Sequence, residues 1–233
     1  LVHGENDSLP GLVIDRYGET FVVKLYTSAW VPHLRSLLRG LVQLAQPQRI
    51  VLRLSRFVQQ QEAALFGLHD GQILLGQPPK NGVRFLENGL YFEADVVHGQ
   101  KTGFFLDQRD NRAKVEKLAA GRRVLNVFAY TGGFSLYAAR GGAKEVVSLD
   151  ISQPALANAM RNCKLNLAHE AVATATHELL VGDAFQTMKQ LIANKRRFEM
   201  VIIDPPAFAK SQEEVERAVT AYGRLVRLGL QLL

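Results

Sequence analysis

The fold is decided by the stretch Arg123-Val-Leu-Asn-Val-Phe-Ala-Tyr-Thr-Gly-Gly-Phe-Ser135. Residues 124–128 are mostly apolar and rich in β-branched side chains, which predicts a short buried strand. Gly132 and Gly133 end that pattern, and residues 134–140 are typical of a helix. A strand, a glycine turn and a helix form the ligand-binding unit of doubly wound α/β domains. The glycines let the backbone approach a ligand, and the helix N-terminus offers free N–H groups to an anion.

The glycine turn departs from the dinucleotide fingerprint G-x-G-x-x-G, because it reads Ala129-Tyr-Thr-Gly-Gly-Phe134. Its two glycines are adjacent, so they would enclose a pyrophosphate poorly, which disfavours a nicotinamide dehydrogenase. A ligand with a carboxylate and no phosphate, such as S-adenosylmethionine, asks less of the turn. A purely structural turn is the competing interpretation of these residues.

Three further strands are predicted downstream, and each brings an acid to its C-terminal end. They cover residues 145–150 with Asp150, residues 179–185 with Asp183, and residues 198–206 with Asp204. Ser152 is predicted to cap the helix that follows Asp150. A single acid at such a place is often only a helix cap. Acids in series at the edge where open α/β sheets bind ligands predict a pocket there.

These motifs resemble those of class I S-adenosylmethionine-dependent methyltransferases. The resemblance rests on residues 126–134, Asp150, Gly182-Asp183 and Asp204-Pro-Pro-Ala-Phe208. Residues 99–112 and 5–18 are similar to the ribosomal RNA large subunit methyltransferase I family, which makes 5-methylcytosine in large-subunit ribosomal RNA. The resemblance covers nearly the whole chain.

The fold class implied is α/β, a Rossmann-like class I methyltransferase sheet preceded by a small α+β domain. Residues 1–78 are predicted to form the small domain in the order strand, strand, helix, strand, strand, and residues 77–82 are its linker. Residues 79–233 form the S-adenosylmethionine-binding domain. Family sheets have seven strands and only four are recognised here, so we expect the others after residue 233. An RNA-binding domain of PUA type is expected before residue 1.

The resemblance implies S-adenosylmethionine as cofactor and assigns its contacts. Asp150 would accept hydrogen bonds from the ribose hydroxyls, with Ser152 beside it, and Asp183 from the adenine amino group, with Ala184 next to it. The methionine end would be lined by Asn126, Phe128, Ala129 and Gly132.

The segment before the strand at residues 124–128 supplies four more candidate cofactor residues, Phe104, Asp107, Gln108 and Arg109. Arg109, beside a helix start, could grip the methionine carboxylate. Without the resemblance, Arg109 would be read as a surface helix residue and Phe104 as a core aromatic.

Asp204, Pro205 and Pro206 are the candidate catalytic residues, and Asp204 is also a candidate cofactor contact. Two prolines fix the backbone after the strand, so its carbonyls can be aimed at a planar base. Phe208 could stack on a flipped base. A rigid turn and a packed loop aromatic are the competing interpretations.

Methylation of cytosine at C5 requires a nucleophile at C6, usually a thiolate. The chain has one cysteine, Cys163, about ten residues into a predicted helix and therefore roughly 15 Å from the ligand edge. We expect it to be a packed helix residue. The family's nucleophilic cysteine is expected beyond residue 233, and this stretch alone is expected to be inactive as a cytosine methyltransferase.

Composition narrows the functional classes further. The net charge of +6 suits either an ordinary solvated surface or a polyanionic partner such as ribosomal RNA. No apolar run approaches the roughly 20 residues of a membrane span, so no membrane partner is expected. The scattered histidines predict no metal site. One cysteine excludes an internal disulfide and suits a reducing, cytoplasmic location. A homodimer is left open.

The predicted function is therefore a ribosomal RNA cytosine-C5 methyltransferase. The alternatives are methylation at guanine N7 or another RNA base, and a non-catalytic RNA- or ribosome-binding module that retains the cofactor fold. The target base, ring position and ribosomal address do not follow from these residues.

Overall fold

The computed structural model describes residues 1–209 and 211–233, which form two compact units, Leu1–Leu106 and Asp107–Leu233. The strands of the first unit are β1 Val2–His3, β2 Leu12–Tyr17, β3 Thr20–Leu25, β4 Arg49–Leu54, β5 Ile73–Leu75, β6 Val83–Glu87 and β7 Leu90–Ala94. Its α-helices are α1 Leu34–Ala45, α2 Arg56–Gln59 and α3 Glu62–Leu65. Short 3-10 turns cover Gly4–Asp7 and Ser28–His33.

The first unit is built on a five-stranded sheet in the order β1-β2-β3-β4-β5. β2 and β3 form an antiparallel hairpin, whereas β3 and β4 are parallel. A parallel pair needs a crossover connection, and α1 provides it. The helix packs its apolar side on the sheet, so Leu34, Leu37, Leu38 and Leu41 join the core. The predicted order of strand, strand, helix, strand, strand corresponds to β2, β3, α1, β4 and β5.

Residues 79–106 belong to the first compact unit, whereas the sequence placed them with the second domain. The hairpin β6–β7 packs on β2, where the Tyr17 ring meets Phe85 edge to face with centroids 5.0 Å apart. The Tyr17 hydroxyl lies 2.8 Å from Thr102 Oγ1 and accepts the backbone N–H of Phe104 at 3.2 Å. The Pro- and Gly-containing stretch at residues 77–82 predicts a loop. It does not indicate which hydrophobic core the residues after the loop join.

The second unit alternates helices and parallel strands. Its strands are β8 Arg123–Val127, β9 Glu145–Asp150, β10 Thr176–Val181 and β11 Met200–Ile203. Its α-helices are α4 Arg109–Leu118, α5 Gly133–Arg140, α6 Gln153–Leu165, α7 Glu170–Thr174, α8 Ala184–Ala193 and α9 Val215–Leu232. A 3-10 turn, Leu106–Gln108, precedes α4, and another, Gln212–Glu214, precedes α9.

The sheet of the second unit has the order β10-β9-β8-β11, with every described pair parallel. Helices cover both faces. Leu125 and Val127 of β8 face α8 and α9, where they share a core with Met188 and Leu225. Alternate residues of a strand point to opposite faces, and Asn126 bonds Ser135 of α5. The unit is therefore a doubly wound α/β sheet of the Rossmann-like class, as predicted.

Helix α9 carries apolar residues on two sides. The side that packs on the sheet contains Ala218, Leu225, Leu228 and Leu232. A second apolar stripe lies beside it and is exposed, with Val219 and Leu230 each 64% accessible. Its members are Val215, Val219, Tyr222, Val226, Leu230 and Leu233. Among the described residues, no helix has both the length and the apolar character that a membrane crossing requires.

Candidate cofactor site

The C-terminal ends of the four strands lie at one edge of the sheet. Val127 is in register with Leu149 of β9 and with Ile203 of β11, and Val181 is in register with Asp150. The chain leaves β8 for β9 on one side and later returns to β11 on the other. This reversal of strand order is the topological switch point at which open α/β sheets bind ligands.

The loop between β8 and α5 has an unusual backbone. Phe128, Tyr130 and Gly132 adopt positive φ angles of 64°, 48° and 75°. Only glycine adopts this region without strain, so the two aromatic residues are held there by their surroundings. A Cβ on Gly132 would lie 2.6 Å from the Cβ of Ala159 on α6. Gly132 is thus required both by its dihedral angles and by the close approach of α6, and strained loops of this kind concentrate at functional sites.

Asp150 ties the end of β9 to this loop. One carboxylate oxygen accepts the backbone N–H of Tyr130 at 2.8 Å, and the other accepts that of Ser152 at 2.9 Å. Ser152 caps α6 through the N–H of Ala155 at 3.3 Å, as predicted. A carboxylate has about four acceptor positions, so these two bonds leave room for hydroxyl donors. Asp150 is partly exposed and can therefore serve the loop and a ligand together.

A buried polar network lies beneath the loop. The Asn126 side-chain amide donates to Ser135 Oγ at 2.9 Å, and Ser135 Oγ lies 2.7 Å from Ser148 Oγ on β9. Sequence reasoning missed Ser135 and Ser148, although a serine inside an apolar strand was a signal for a buried polar contact. The network fixes the β8 end, α5 and β9 relative to one another.

Two atoms of this region test whether a polar ligand fits. Asn126 Oδ1 and Thr131 Oγ1 are buried without a hydrogen-bond partner among the described residues. Buried polar side chains are rarely left unpaired. S-adenosylmethionine carries an ammonium donor and a carboxylate acceptor, which match the amide oxygen and the hydroxyl. The polar character of the loop therefore fits the methionine end of that cofactor.

Asp183 and Ala184 lie at the start of α8. Asp183 is exposed, and its Oδ1 accepts the backbone N–H of Gln186 at 2.9 Å, so it caps the helix. Ala184 is buried against the sheet core. The structure thus places Asp183 at the expected edge in a capping role, and its bond to an adenine amino group stays a prediction.

The loop Asp204-Pro205-Pro206 follows β11 at the same edge. Phe208 lies among Phe128, Phe185 and Tyr222, with ring centroids 6.4, 6.2 and 4.8 Å away. The Tyr222 hydroxyl accepts the Phe208 N–H at 3.2 Å and donates to the Pro206 carbonyl at 3.4 Å. Phe208 is therefore a packed aromatic that keeps partial exposure. Tyr222 is not among the site residues predicted from the sequence.

The candidate cofactor residues predicted from the segment before β8 belong to both units. Phe104 lies in the first unit, and the other three lie in the second. Phe104 is 3% exposed and packs in the first unit against Phe85 and Phe92, with centroids 5.1 and 4.9 Å away. That burial favours its reading as a core aromatic over its predicted cofactor contact. Arg109 is exposed at the start of α4, and its Nε lies 3.5 Å from Asp110 Oδ1.

The other two residues of that segment lie in the turn before α4. Gln108 accepts a side-chain bond from Asn111 at 2.7 Å, and Asp107 is exposed. The roles of Asp107, Gln108 and Arg109 as cofactor contacts stay predictions.

Cys163 is a packed residue of α6, as expected. It is 7% exposed, and its Sγ lies 3.6 Å from His177 Nδ1. Burial raises the pKa of the Cys163 thiol to about 11. A thiol with that pKa is protonated near neutral pH and is a poor nucleophile. Within the described residues, no group of three or more metal-ligating side chains comes together.

Comparisons with known proteins define the class. A family model described as S-adenosylmethionine-dependent methyltransferase matches residues 1–233, and the chain belongs to that family. S-adenosylmethionine is accordingly its cofactor. The structure of SMU.776 complexed with SAH superimposes with a TM-score of 0.80 at 28% identity, covering 100% of this chain and 57% of that one.

Two curated relatives narrow the comparison. The chain is 50% identical over 233 residues to a ribosomal RNA large subunit methyltransferase of Deinococcus radiodurans. It is 38% identical over 234 residues to the ribosomal RNA large subunit methyltransferase I of Aliivibrio fischeri. The chain is covered completely in both matches, but it spans only 56% and 57% of the two relatives. The expectation that this stretch is inactive is not borne out.

Proposed function

We propose that the protein methylates a base of large-subunit ribosomal RNA, with C5 of cytosine as the target atom. The assignment of the cofactor site rests on the position of Asp150. Its Oδ2 atom accepts the Tyr130 N–H at 2.8 Å and so joins the end of β9 to the strained loop after β8. The names of the relatives support the RNA substrate. When bound, S-adenosylmethionine supplies a methyl group activated by its sulfonium.

Different residues of the second unit would bind the ribose, the methionine end and the adenine of the cofactor. Asp150 accepts the ribose hydroxyls on the acceptor positions that Tyr130 and Ser152 leave open. Asn126 and Thr131 complete their hydrogen bonding at the methionine end, where Phe128, Ala129 and Gly132 form the wall. Asp183 accepts the adenine amino group from its place at the α8 start.

The loop after β11 would receive the base. Asp204, Pro205 and Pro206 follow β11, where their backbone carbonyls would face the base, and the Tyr222 hydroxyl donates to the Pro206 carbonyl. The exposed part of Phe208 offers a ring surface beside them. Orientation of a planar base against fixed carbonyls raises the rate of transfer through positioning.

Chemistry at cytosine C5 makes one further demand, a thiolate that adds to C6. Cys163 does not meet it, because its thiol is buried on α6 and has a raised pKa. The C5 assignment therefore requires a nucleophilic cysteine other than Cys163. Methylation of a ring nitrogen needs no such nucleophile, and the burial of Cys163 makes guanine N7 the second candidate.

Calorimetry with S-adenosylmethionine tests the site. Asp150→Ala should weaken binding by about 1–3 kcal/mol, the scale of a lost hydrogen bond to a charged group. Glu199→Gln is the matched control, because that carboxylate pairs with Arg123 at the opposite edge of the sheet. Equal affinities of the native chain and Asp150→Ala would contradict the assignment.

Nucleoside analysis of methylated RNA tests the target. The protein should produce 5-methylcytosine in large-subunit ribosomal RNA, whereas methylguanosine would select the second candidate. RNA binding to the 233 residues should weaken linearly on a logarithmic salt scale, because basic side chains release counterions from phosphates. Binding that is tight and insensitive to salt would contradict a phosphate-contact mode.

A further inference from the structure

A pocket separate from the cofactor site lies wholly within the first unit. Its volume is about 610 Å³, which is within the range of roughly 300–1,000 Å³ typical of ligand sites. The residues that line it include Glu5, Pro10, Gly11, Tyr26, Trp30 and His33. Glu5, Pro10 and Gly11 come from the segment 5–18, to which methyl transfer gives no role.

Hydrogen bonds hold the floor of this pocket in place. Trp30 Nε1 donates to the Pro10 carbonyl at 2.9 Å, and the Tyr26 N–H donates to the Gly11 carbonyl at 2.8 Å. The Gly11 N–H donates to Glu5 Oε1 at 3.3 Å. Gly11 has a φ of 75°, and a Cβ there would lie 2.7 Å from Thr27 Cγ2. The Pro-Gly turn is therefore fixed before any ligand arrives.

Aromatic rings and one carboxylate give the pocket its chemistry. Tyr26 is 47% exposed, and Lys24 Nζ lies 5.2 Å from its ring centroid. The Trp30 and His33 rings meet edge to face at 6.3 Å. Trp30 is partly buried against the core of the first unit, whereas the Tyr26 ring is exposed. Exposed aromatic rings stack on nucleobases whatever their sequence. Glu5 is exposed and keeps acceptor capacity for an exocyclic amino group.

We propose that this pocket binds an unpaired base of the RNA substrate, an inference that rests on the proposed function. A base in a duplex is paired and stacked, so its faces are hidden from Tyr26 and Trp30. Single-stranded segments offer those faces, which is why proteins read RNA mostly in loops and ends. The pocket would then hold a nucleotide away from the one that is methylated.

The chain contains a single tryptophan, Trp30, which lines this pocket, so its fluorescence reports on the pocket and on the core beside it. A single-stranded oligoribonucleotide of mixed sequence should quench Trp30 emission in a saturable way. A duplex RNA of the same composition should not. Tyr26→Ala should weaken the single-strand affinity about tenfold, the effect of one lost base stack. Tyr26→Phe, which keeps a ring, should retain it, and His33→Ala should also weaken binding.

Tyr91→Ala is the matched control, because Tyr91 is 52% exposed on β7 of the same unit and does not line the pocket. Circular dichroism and thermal unfolding verify that each variant is folded. Single-stranded RNA that binds by anisotropy without changing Trp30 emission would overturn the proposal. Equal losses in Tyr26→Ala and Tyr91→Ala would overturn it as well.

Calorimetry on the same samples separates this proposal from the proposed function. If S-adenosylmethionine binds and RNA is methylated but Trp30 stays unquenched, only the pocket assignment fails. If RNA quenches Trp30 and Tyr26→Ala removes the effect while no base is methylated, the pocket stands as an RNA site and the enzymatic assignment fails.

Discussion

The hydroxyl of Tyr222 on α9 accepts the backbone N–H of Phe208 at 3.2 Å, and the two rings lie in contact, tilted by 33°, with centroids 4.8 Å apart. The same hydroxyl donates to the Pro206 carbonyl at 3.4 Å. One side chain thus holds both sides of the turn that follows β11. The neighbouring side of α9 packs on the sheet through Leu225 and Leu228, which fixes the helix that carries Tyr222.

Tyr222→Phe should loosen this turn without unfolding the unit. The substitution keeps the ring contact and removes the two hydrogen bonds of the hydroxyl, each worth about 0.5–1.5 kcal/mol. The Phe208 amide should therefore exchange with solvent roughly 2- to 12-fold faster, which residue-resolved hydrogen exchange measures. Tyr26→Phe is the control for loss of a hydroxyl in the other unit. An unchanged Phe208 exchange rate would show that other contacts hold the turn.

Gly132→Ala should destabilise the chain more than Gly142→Ala. Both glycines have positive φ, 75° and 87°, so alanine costs about 1–2 kcal/mol at either. Only at Gly132 does the new Cβ collide, at 2.6 Å from Ala159, which adds about 1–3 kcal/mol of overpacking. Denaturant unfolding measures the two free energies. Equal destabilisation would mean that α6 moves aside freely.

The strand ends could be predicted because their causes are local. The apolar run before Asp150 matches β9 residue for residue, since a buried parallel strand has to be apolar on both faces. The strained loop after β8 was signalled by its glycines. The positive φ angles of Phe128 and Tyr130 could not be predicted, because bulky residues adopt them only under tertiary constraint.

Features that depend on tertiary packing could not be predicted from the sequence. Both apolar sides of α9 have helical spacing, and only the packed sheet decides that Leu225 is buried while Val226 is exposed. The attachment of residues 79–106 to the first unit depends on Tyr17 reaching Thr102 and Phe104 across about 85 positions of sequence. Asp183 shows a third limit, because a helix cap and a ligand contact use the same residue type at the same position.

Arg53→Met should lower the stability of the first unit by about 2–3 kcal/mol. Arg53 is 8% exposed, and its Nε lies 3.0 Å from Asp70 Oδ1. Its other guanidinium nitrogens donate to the carbonyls of Val96 and Gly99 at 3.3 and 3.1 Å. Removal of one partner leaves a partly buried charge and two carbonyls without their donor. Thermal unfolding of the variant measures the loss.

Arg123→Met is the control for that substitution. It removes an arginine from an exposed pair with Glu199, where solvent screening leaves little net stabilisation. Stability should therefore stay nearly unchanged. If both arginine variants lose the same stability, the network around Arg53 contributes nothing special to the first unit.

Cys163 should react slowly in the folded chain and should make stability depend on alkaline pH. Burial on α6 raises the pKa of its thiol from 9.0 to about 11. At pH 8 the folded thiol should be alkylated by iodoacetamide at least about tenfold more slowly than in denaturant, because the thiolate is the reactive form. Mass spectrometry over time measures both rates.

The linked stability effect of Cys163 has a definite sign. A folded pKa above the unfolded value means that the unfolded chain loses its proton first as pH rises. The contribution is complete below pH 9 and is lost as pH rises towards 11. A shift of about two units corresponds to about 2–3 kcal/mol. The stability difference between the native chain and Cys163→Ala should therefore shrink by that order between pH 8 and pH 11. A difference independent of pH, or rapid alkylation at pH 8, would show an accessible thiolate and would return Cys163 to consideration as the nucleophile.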